Sequence, residues 1–145
     1  MRGGTLNVPN IVGMAKAYEL ACEEREQANA KLFALSQKFI EELSSLQGIT
    51  RNGMGDTALP SVVNLRLEGV ENTAFLFNMD LNGVCISAGS ACASASIKPS
   101  HVLTAMGLTE REAKESVRFS FGKNNTEEEI VLGAKLTAKF IKKLR

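Results

Sequence analysis

From about Pro9 to Gln47, apolar side chains return at helical spacing. They run through Ile11, Val12, Ala15, Tyr18, Leu20 and Ala21, then Leu32, Leu35, Phe39, Leu43 and Leu46, the pattern of one long helix with an apolar stripe. Asn7 is placed to cap it, Pro9 suits its first turn, and Gly48 stands where a C-terminal glycine belongs. One helix, straight or bent at its middle, therefore takes a large share of a chain of 145 residues. The remaining elements have to be short. With 44% hydrophobic and 23% charged residues, the chain can bury one ordinary core, and its length predicts one domain over residues 1–145.

Ile49 to Arg51 reads as the start of a strand and Asn52 to Asp56 as a turn or loop. Ser61 to Leu67 alternates, with Val63, Leu65 and Leu67 on one face and Val62, Asn64 and Arg66 on the other, which marks a half-buried strand. Val70 to Leu81 has the pattern of a short amphipathic helix ended by Asn82-Gly83, and Val84 to Ser87 that of a short apolar strand. Ala88 to Ser96 contains only Ala, Gly, Ser and one Cys, so it offers little apolar area to hold it down and is expected to be a mobile loop. Two short helices follow, Ser100 to Met106 and Thr109 to Glu115, the second opened by a Thr109-x-x-Glu112 capping box. Val117 to Phe121 is a strand. Thr126-x-x-Glu129 opens a final amphipathic helix through Ile130, Leu132, Leu136, Phe140 and Ile141, with lysines in its last turns. The expected class is α+β: three or four strands, antiparallel in the main, packed with a long N-terminal and a C-terminal helix. There is no internal repeat and no linker.

Seventeen basic residues against 16 acidic ones leave a net charge of +1, which gives no electrostatic footprint for nucleic acid or an anionic membrane. No apolar run approaches the roughly 20 residues that span a bilayer, and the opening residues lack an apolar signal segment. The chain reads as soluble and cytoplasmic. Three cysteines, Cys22, Cys85 and Cys92, do not suit a disulfide framework, and a single histidine, His101, argues against a structural zinc site, so no metal is expected.

Cys92 lies in the small-residue stretch, and the nearest acidic residues in sequence are Asp80 and Glu110. Lys98 and His101 are the charged or chargeable groups that could lower its thiol pKa. It is either an exposed nucleophile on a flexible arm or a small cysteine buried in a tight turn. Cys85, in an apolar strand pattern, and Cys22, on the first helix, read as core residues. A Cys92 and His101 dyad competes with a plain helix-start role for His101. Arg118 alternates to the face opposite Val117, Phe119 and Phe121, where it is either a bidentate carboxylate clamp or a solvent-facing side chain. Arg2-Gly3-Gly4-Thr5 leads into a helix, so its amides and the Thr5 hydroxyl could hold a phosphate, although any glycine-preceded helix start looks similar.

Four stretches taken in order resemble one family: RGGTLNVPNIVGMAKAYELA, LFNMDLNGVCISAGSACAS, KPSHVLTAMGL and ESVRFSFG. They are similar to the C-terminal part of cysteine desulfurases of the nitrogen-fixation and housekeeping group, pyridoxal-phosphate (PLP) enzymes of the class V aminotransferase fold. The resemblance covers nearly the whole chain. It implies the small C-terminal domain of a fold-type I PLP enzyme that converts L-cysteine to L-alanine and passes sulfur on as a persulfide. Cys92, in Ala88-Gly89-Ser90-Ala91-Cys92, then matches the sulfur-accepting thiolate. Arg118 matches the group that binds the substrate carboxylate, and Thr5 the hydroxyl that reaches the PLP phosphate of the neighbouring subunit in the family's homodimer. A thiol that takes sulfur at a buried cofactor and gives it to an acceptor such as an iron–sulfur scaffold protein has to travel, and the small residues from Ala88 to Ser96 permit that.

One departure is large. In the family the Schiff-base lysine, the histidine that stacks on the cofactor and the aspartate that pairs with its pyridine nitrogen all precede the R-x-G-T motif, and here that motif follows Met1 directly. No lysine of this chain has the context of the cofactor lysine. The expectation is a C-terminal fragment, catalytically silent alone, with an apolar patch left bare where the rest of the enzyme would pack. A non-catalytic persulfide carrier is the competing class of function, and a relative acting on selenocysteine would have the same fold and cofactor.

Overall fold

The computed structural model describes residues 3–53, 58–89 and 99–145. Its first element, α1 (Val8–Leu43), is one uninterrupted helix of 36 residues, about 54 Å long at 1.5 Å per residue. Asn7 caps it as expected, its side chain accepting from the Asn10 amide at 3.3 Å, with Pro9 in the first turn. The helix stops at Leu43, short of Gln47, where Ser44 takes over the capping in a right-handed conformation. Gly48 is therefore not its C-terminal glycine. It sits at φ +71° at the entrance to the next strand, and a Cβ there would meet the Arg145 guanidinium at 2.6 Å.

Three strands, β1 (Ile49–Asn52), β2 (Val62–Leu67) and β3 (Ser116–Ser120), form an antiparallel sheet in the order β1-β2-β3. The register places Leu65 opposite Arg51 and Val117, and Asn64 opposite Asn52 and Arg118. Alternation then separates the two faces. Val63, Leu65, Leu67, Val117 and Phe119 are buried on one face, against Leu35, Phe39 and Leu43 of the C-terminal part of α1. The same core takes Phe75 and Met79 from α2 (Asn72–Asp80) and Ile130, Ala134, Phe140 and Ile141 from α5 (Glu127–Leu144). Phe39 stands at its centre, its ring 4.6 Å from Phe119 and 5.5 Å from Phe121 in tilted contacts. Such aromatic geometry adds to the area term.

The expected strand from Val84 to Ser87 does not form. After Gly83, at φ +77°, the chain contributes a single antiparallel bridge, with Ser87 and Arg118 exchanging both backbone hydrogen bonds at 2.6 and 3.1 Å. Cys85 is consequently exposed instead of buried, because no second strand turns it inward. Two short helices, α3 (His101–Ala105) and α4 (Glu110–Lys114), follow, and α4 carries the expected Thr109–Glu112 capping box. The Thr126–Glu129 box opens α5, which ends with Lys142 and Lys143 in its last turn. Arg145 then donates to the carbonyls of Gln47, Gly48 and Glu68 at 2.7 to 3.0 Å, tying the last helix to the turns around β1 and β2.

The N-terminal half of α1 carries its apolar side chains into solvent. Every described residue from Gly3 to Gln27 is exposed, among them Ile11, Val12, Met14, Tyr18 and Leu20. Cys22 lies on this stretch and is exposed too, because the sheet and α5 reach only the C-terminal turns of the helix. No described helix is long and apolar enough to cross a membrane.

Phe39 is only 1% exposed at the junction of α1 and β3. Truncation to alanine should cost about 3–5 kcal/mol, read as a lower midpoint with unchanged slope in urea unfolding.

Candidate functional site

The sheet face turned away from the core carries a continuous polar row. Asn52 of β1, Asn64 of β2, Arg118 of β3 and Ser87 at the single bridge follow one another across the strands. Asn52, Asn64 and Arg118 of this row form one wall of a cavity of about 250 Å³, which α3 borders from the other side with Ser100, His101, Leu103 and Met106. Gly89 also borders it, at φ +83°, with its Cβ position 3.5 Å from the Ser100 side chain. The segment that contains Cys92 is thus flanked on both sides by residues of the cavity wall. Cys92 itself and the rest of the small-residue stretch from Ser90 onward lie outside the described residues.

Arg118 is half-buried, and its Nε is buried without a hydrogen-bond partner among the described residues. None of the described residues lining the cavity is acidic. Only the Arg118 Nε is withdrawn from water, and that N–H lacks the acceptor that ordinarily offsets desolvation. Arg118 keeps part of its surface exposed at the cavity, an arrangement in which its free donors could meet a small anion or water.

The other sequence candidates fall into two groups. His101 is the first residue of α3, exposed at the rim of the Arg118 cavity, so the structure brings these two together. Thr5 is exposed ahead of the Asn7 cap and does not border the cavity. Cys85 lines a separate, larger cavity of about 470 Å³ between residues 82–86, β3 and α5. That second cavity is walled mainly by apolar groups, and its Glu129 is engaged by Asn125 and the Thr126 amide. Asn52, Asn64 and Ser116 were not singled out in the sequence; the alternation put Asn64 on the polar face, but only the cross-strand register shows that it stands beside Arg118.

One row away on the same face, Arg66 of β2 holds α4 in place. Its Nη1 pairs with Glu112 at 2.5 Å and its Nε with Glu115 at 3.2 Å, while Arg111 reaches Glu115 at 3.0 Å. Hydrogen bonds from the Thr109 backbone and hydroxyl hold the Glu112 carboxyl below its ordinary pKa, with help from the Arg66 charge. For Glu115 burial pushes the pKa up, but hydrogen bonds from Arg111 and Arg66 outweigh it and the net direction is down.

These contacts belong to a family. The model of the aminotransferase class-V family matches residues 1–132, and the chain belongs to that family. Within it, the cysteine desulfurase IscS of Pseudomonas putida is 41% identical over all 145 residues, and that of Pseudomonas aeruginosa 40%. The chain spans 35% of the length of these relatives. Among solved structures, a NifS-like protein superposes with a TM-score of 0.84 at 30% identity, covering 99% of this chain and 36% of its own. A NifS-like protein from Rickettsia africae gives 0.81 at 28%, covering 98% and 36%. The α+β layout, with its antiparallel sheet between helices, is thus a portion of the NifS-like fold.

The lowered carboxyls set an acid limit on this side of the sheet. A folded-state pKa below the unfolded one contributes stability that is complete above the unfolded value, about 4.3 for Glu, and is lost as pH falls through the folded value. Glu115→Gln should therefore be less stable than the parent at neutral pH and lose less on acidification from about pH 5 to pH 2, as read by urea unfolding across that range. Parallel curves for the two proteins would remove Glu115 from the acid response.

Proposed function

We propose that this chain is the small C-terminal domain of a PLP-dependent cysteine desulfurase, in which Arg118 binds the substrate carboxylate and Cys92 receives the sulfur. The observation that carries the reading is Arg118 lining a cavity of about 250 Å³ in which no described lining residue is acidic, with its Nε buried and without a partner among the described residues. A three-carbon amino acid fits that volume, and a guanidinium fixed on a strand between β2 and the Ser87 bridge is a rigid fork for its carboxylate. The similarity to cysteine desulfurases over the full chain supports L-cysteine as that amino acid.

The net reaction balances without an outside oxidant. The thiol of Cys92 and L-cysteine give a persulfide on Cys92 and L-alanine: an S–S bond forms, the substrate C–S bond breaks, and the carbon that loses sulfur gains a proton. Gly89 and Ser100, which precede and follow the Cys92 segment in the chain, both line the Arg118 cavity, which supports Cys92 as the acceptor in this reading. The persulfide would pass to a protein acceptor such as an iron–sulfur scaffold, in the cytoplasm.

PLP is the cofactor this activity requires, and the described residues do not build its pocket. Among the described residues no lysine or aspartate lines the Arg118 cavity, whose one ring is His101 at the rim, and Thr5 stands exposed away from it. In this reading the rest of the enzyme supplies the cofactor site. Thr5 would serve the PLP phosphate of a second subunit in a homodimer, and the bare face of α1 would be covered in that assembly.

The test is made on this chain alone and on a chimera in which it replaces the matching part of the Pseudomonas putida enzyme. Supplied with PLP and L-cysteine, the chain alone should yield no alanine and the chimera should yield it. In the chimera, Cys92→Ala should abolish the protein persulfide, and Arg118→Ala should raise KM for L-cysteine by about 10- to 100-fold, the loss of a charge-assisted pair. Full persulfide turnover in Cys92→Ala, or an unchanged KM in Arg118→Ala, would overturn the corresponding role.

A further inference from the structure

We infer that Asn64 is a second carboxylate-binding group of this cavity, its amide held with the NH2 end toward the ligand by a polar relay through Asn52 and Ser116. The inference rests on the reading of Arg118 as the carboxylate clamp and adds to it a partner that fixes orientation and selectivity.

The direction of every proton in the relay follows from its far end. The Ser116 hydroxyl, 1% exposed as a residue, donates its only proton to the Glu112 carbonyl at 2.7 Å. Toward Asn52 it can then only accept, so Asn52 must present its NH2 there, at 3.1 Å. The same NH2 reaches Asn64 Oδ1 at 2.7 Å. With both of its protons committed, Asn52 fixes Asn64 as an acceptor on the β1 side of the row. The Asn64 NH2 accordingly faces away from β1, and Arg118 is the next residue of the row on that side, directly opposite on β3. This NH2 has no partner among the described residues, and Asn64 and Arg118 line the same cavity.

On the sheet side the wall therefore presents two donors side by side, a guanidinium and an amide NH2. A carboxylate satisfies both, whereas a carboxamide would have to turn its own NH2 toward a donor, and a plain amine offers nothing to either. An asparagine that could flip would accept either polarity of ligand; one anchored through a helix carbonyl cannot. Asn64 touches the ligand, and Asn52 and Ser116 act through it as positioning residues.

The test uses 15N-labelled chain titrated with L-cysteine under reducing conditions, and with cysteamine, which keeps the thiol and the amine but has no carboxylate. The Arg118 Nε–H and Asn64 side-chain NH2 resonances should move together with one dissociation constant for L-cysteine and stay in place for cysteamine. Asn64→Asp, which puts an acceptor and a negative charge where a donor stood, should weaken L-cysteine binding by about tenfold or more while the melting temperature holds or rises, because an aspartate there can pair with Arg118. Asn52→Ala, which leaves Asn64 intact but unanchored, should weaken binding by a smaller factor. If Arg118 responds to L-cysteine and Asn64 does not, or if Asn64→Asp binds like the parent, the role of Asn64 is overturned and the clamp stands. If neither resonance responds to L-cysteine, the clamp falls and the role of Asn64 falls with it.

Discussion

Everything in this chain depends on the antiparallel register of β2 against β3. It sets Leu65 against Val117 and Asn64 against Arg118, and in a sheet of period two these two pairs must point to opposite sides. The first pair goes down into the core with Phe39 and Ile141; the second goes up into the cavity wall. A slip by one residue would push Arg118 into the core and Val117 into the cavity, so core and site are specified by the same choice. The apolar side enforces it. Val63, Leu67 and Val117 are fully buried, and a slip by one residue would turn one strand's set to the other face.

This coupling also explains what was legible in the sequence. Local signals were read well: the Asn7 cap, the two threonine–glutamate capping boxes, the long helix and the alternation in β2 and β3 each depend on neighbours a few positions away. Where a feature depends on distant partners, the reading failed or was silent. Val84 to Ser87 has strand composition, yet only Ser87 finds a strand to pair with, and Cys85 is left outside for that reason. Gly48 looked like a helix terminator but serves the approach of Arg145, 97 residues away. Arg118 could be recognised as a candidate because alternation and a family motif both marked it. Its companions Asn52, Asn64 and Ser116 become a group only through cross-strand register, which no single segment encodes.

The bare half of α1 is the second consequence of packing geometry. A helix of 36 residues is far longer than the sheet it lies on, so only its C-terminal turns meet the core. Amphipathic helices owe most of their stability to a buried face, not to propensity, and the N-terminal half has an apolar stripe with nothing against it. The chain spans 35% of the length of its desulfurase relatives, and in the function proposed above the surface that would bury this stripe belongs to the rest of the enzyme.

The cavity wall shows the same incompleteness in polar form. A buried guanidinium nitrogen without an acceptor costs stability that the fold must supply elsewhere, here through a closely packed core beneath the same strand. The chain could have avoided that cost with one acidic residue in the wall, as it does a row away, where Arg66 is satisfied by Glu112 and Glu115. The two arginines share a sheet face and differ only in whether the protein provides the anion. Arg66 is closed and structural. Arg118 has its backbone fixed on both edges, by Asn64 and by Ser87, so a ligand carboxylate binding there would have only the side chain left to order.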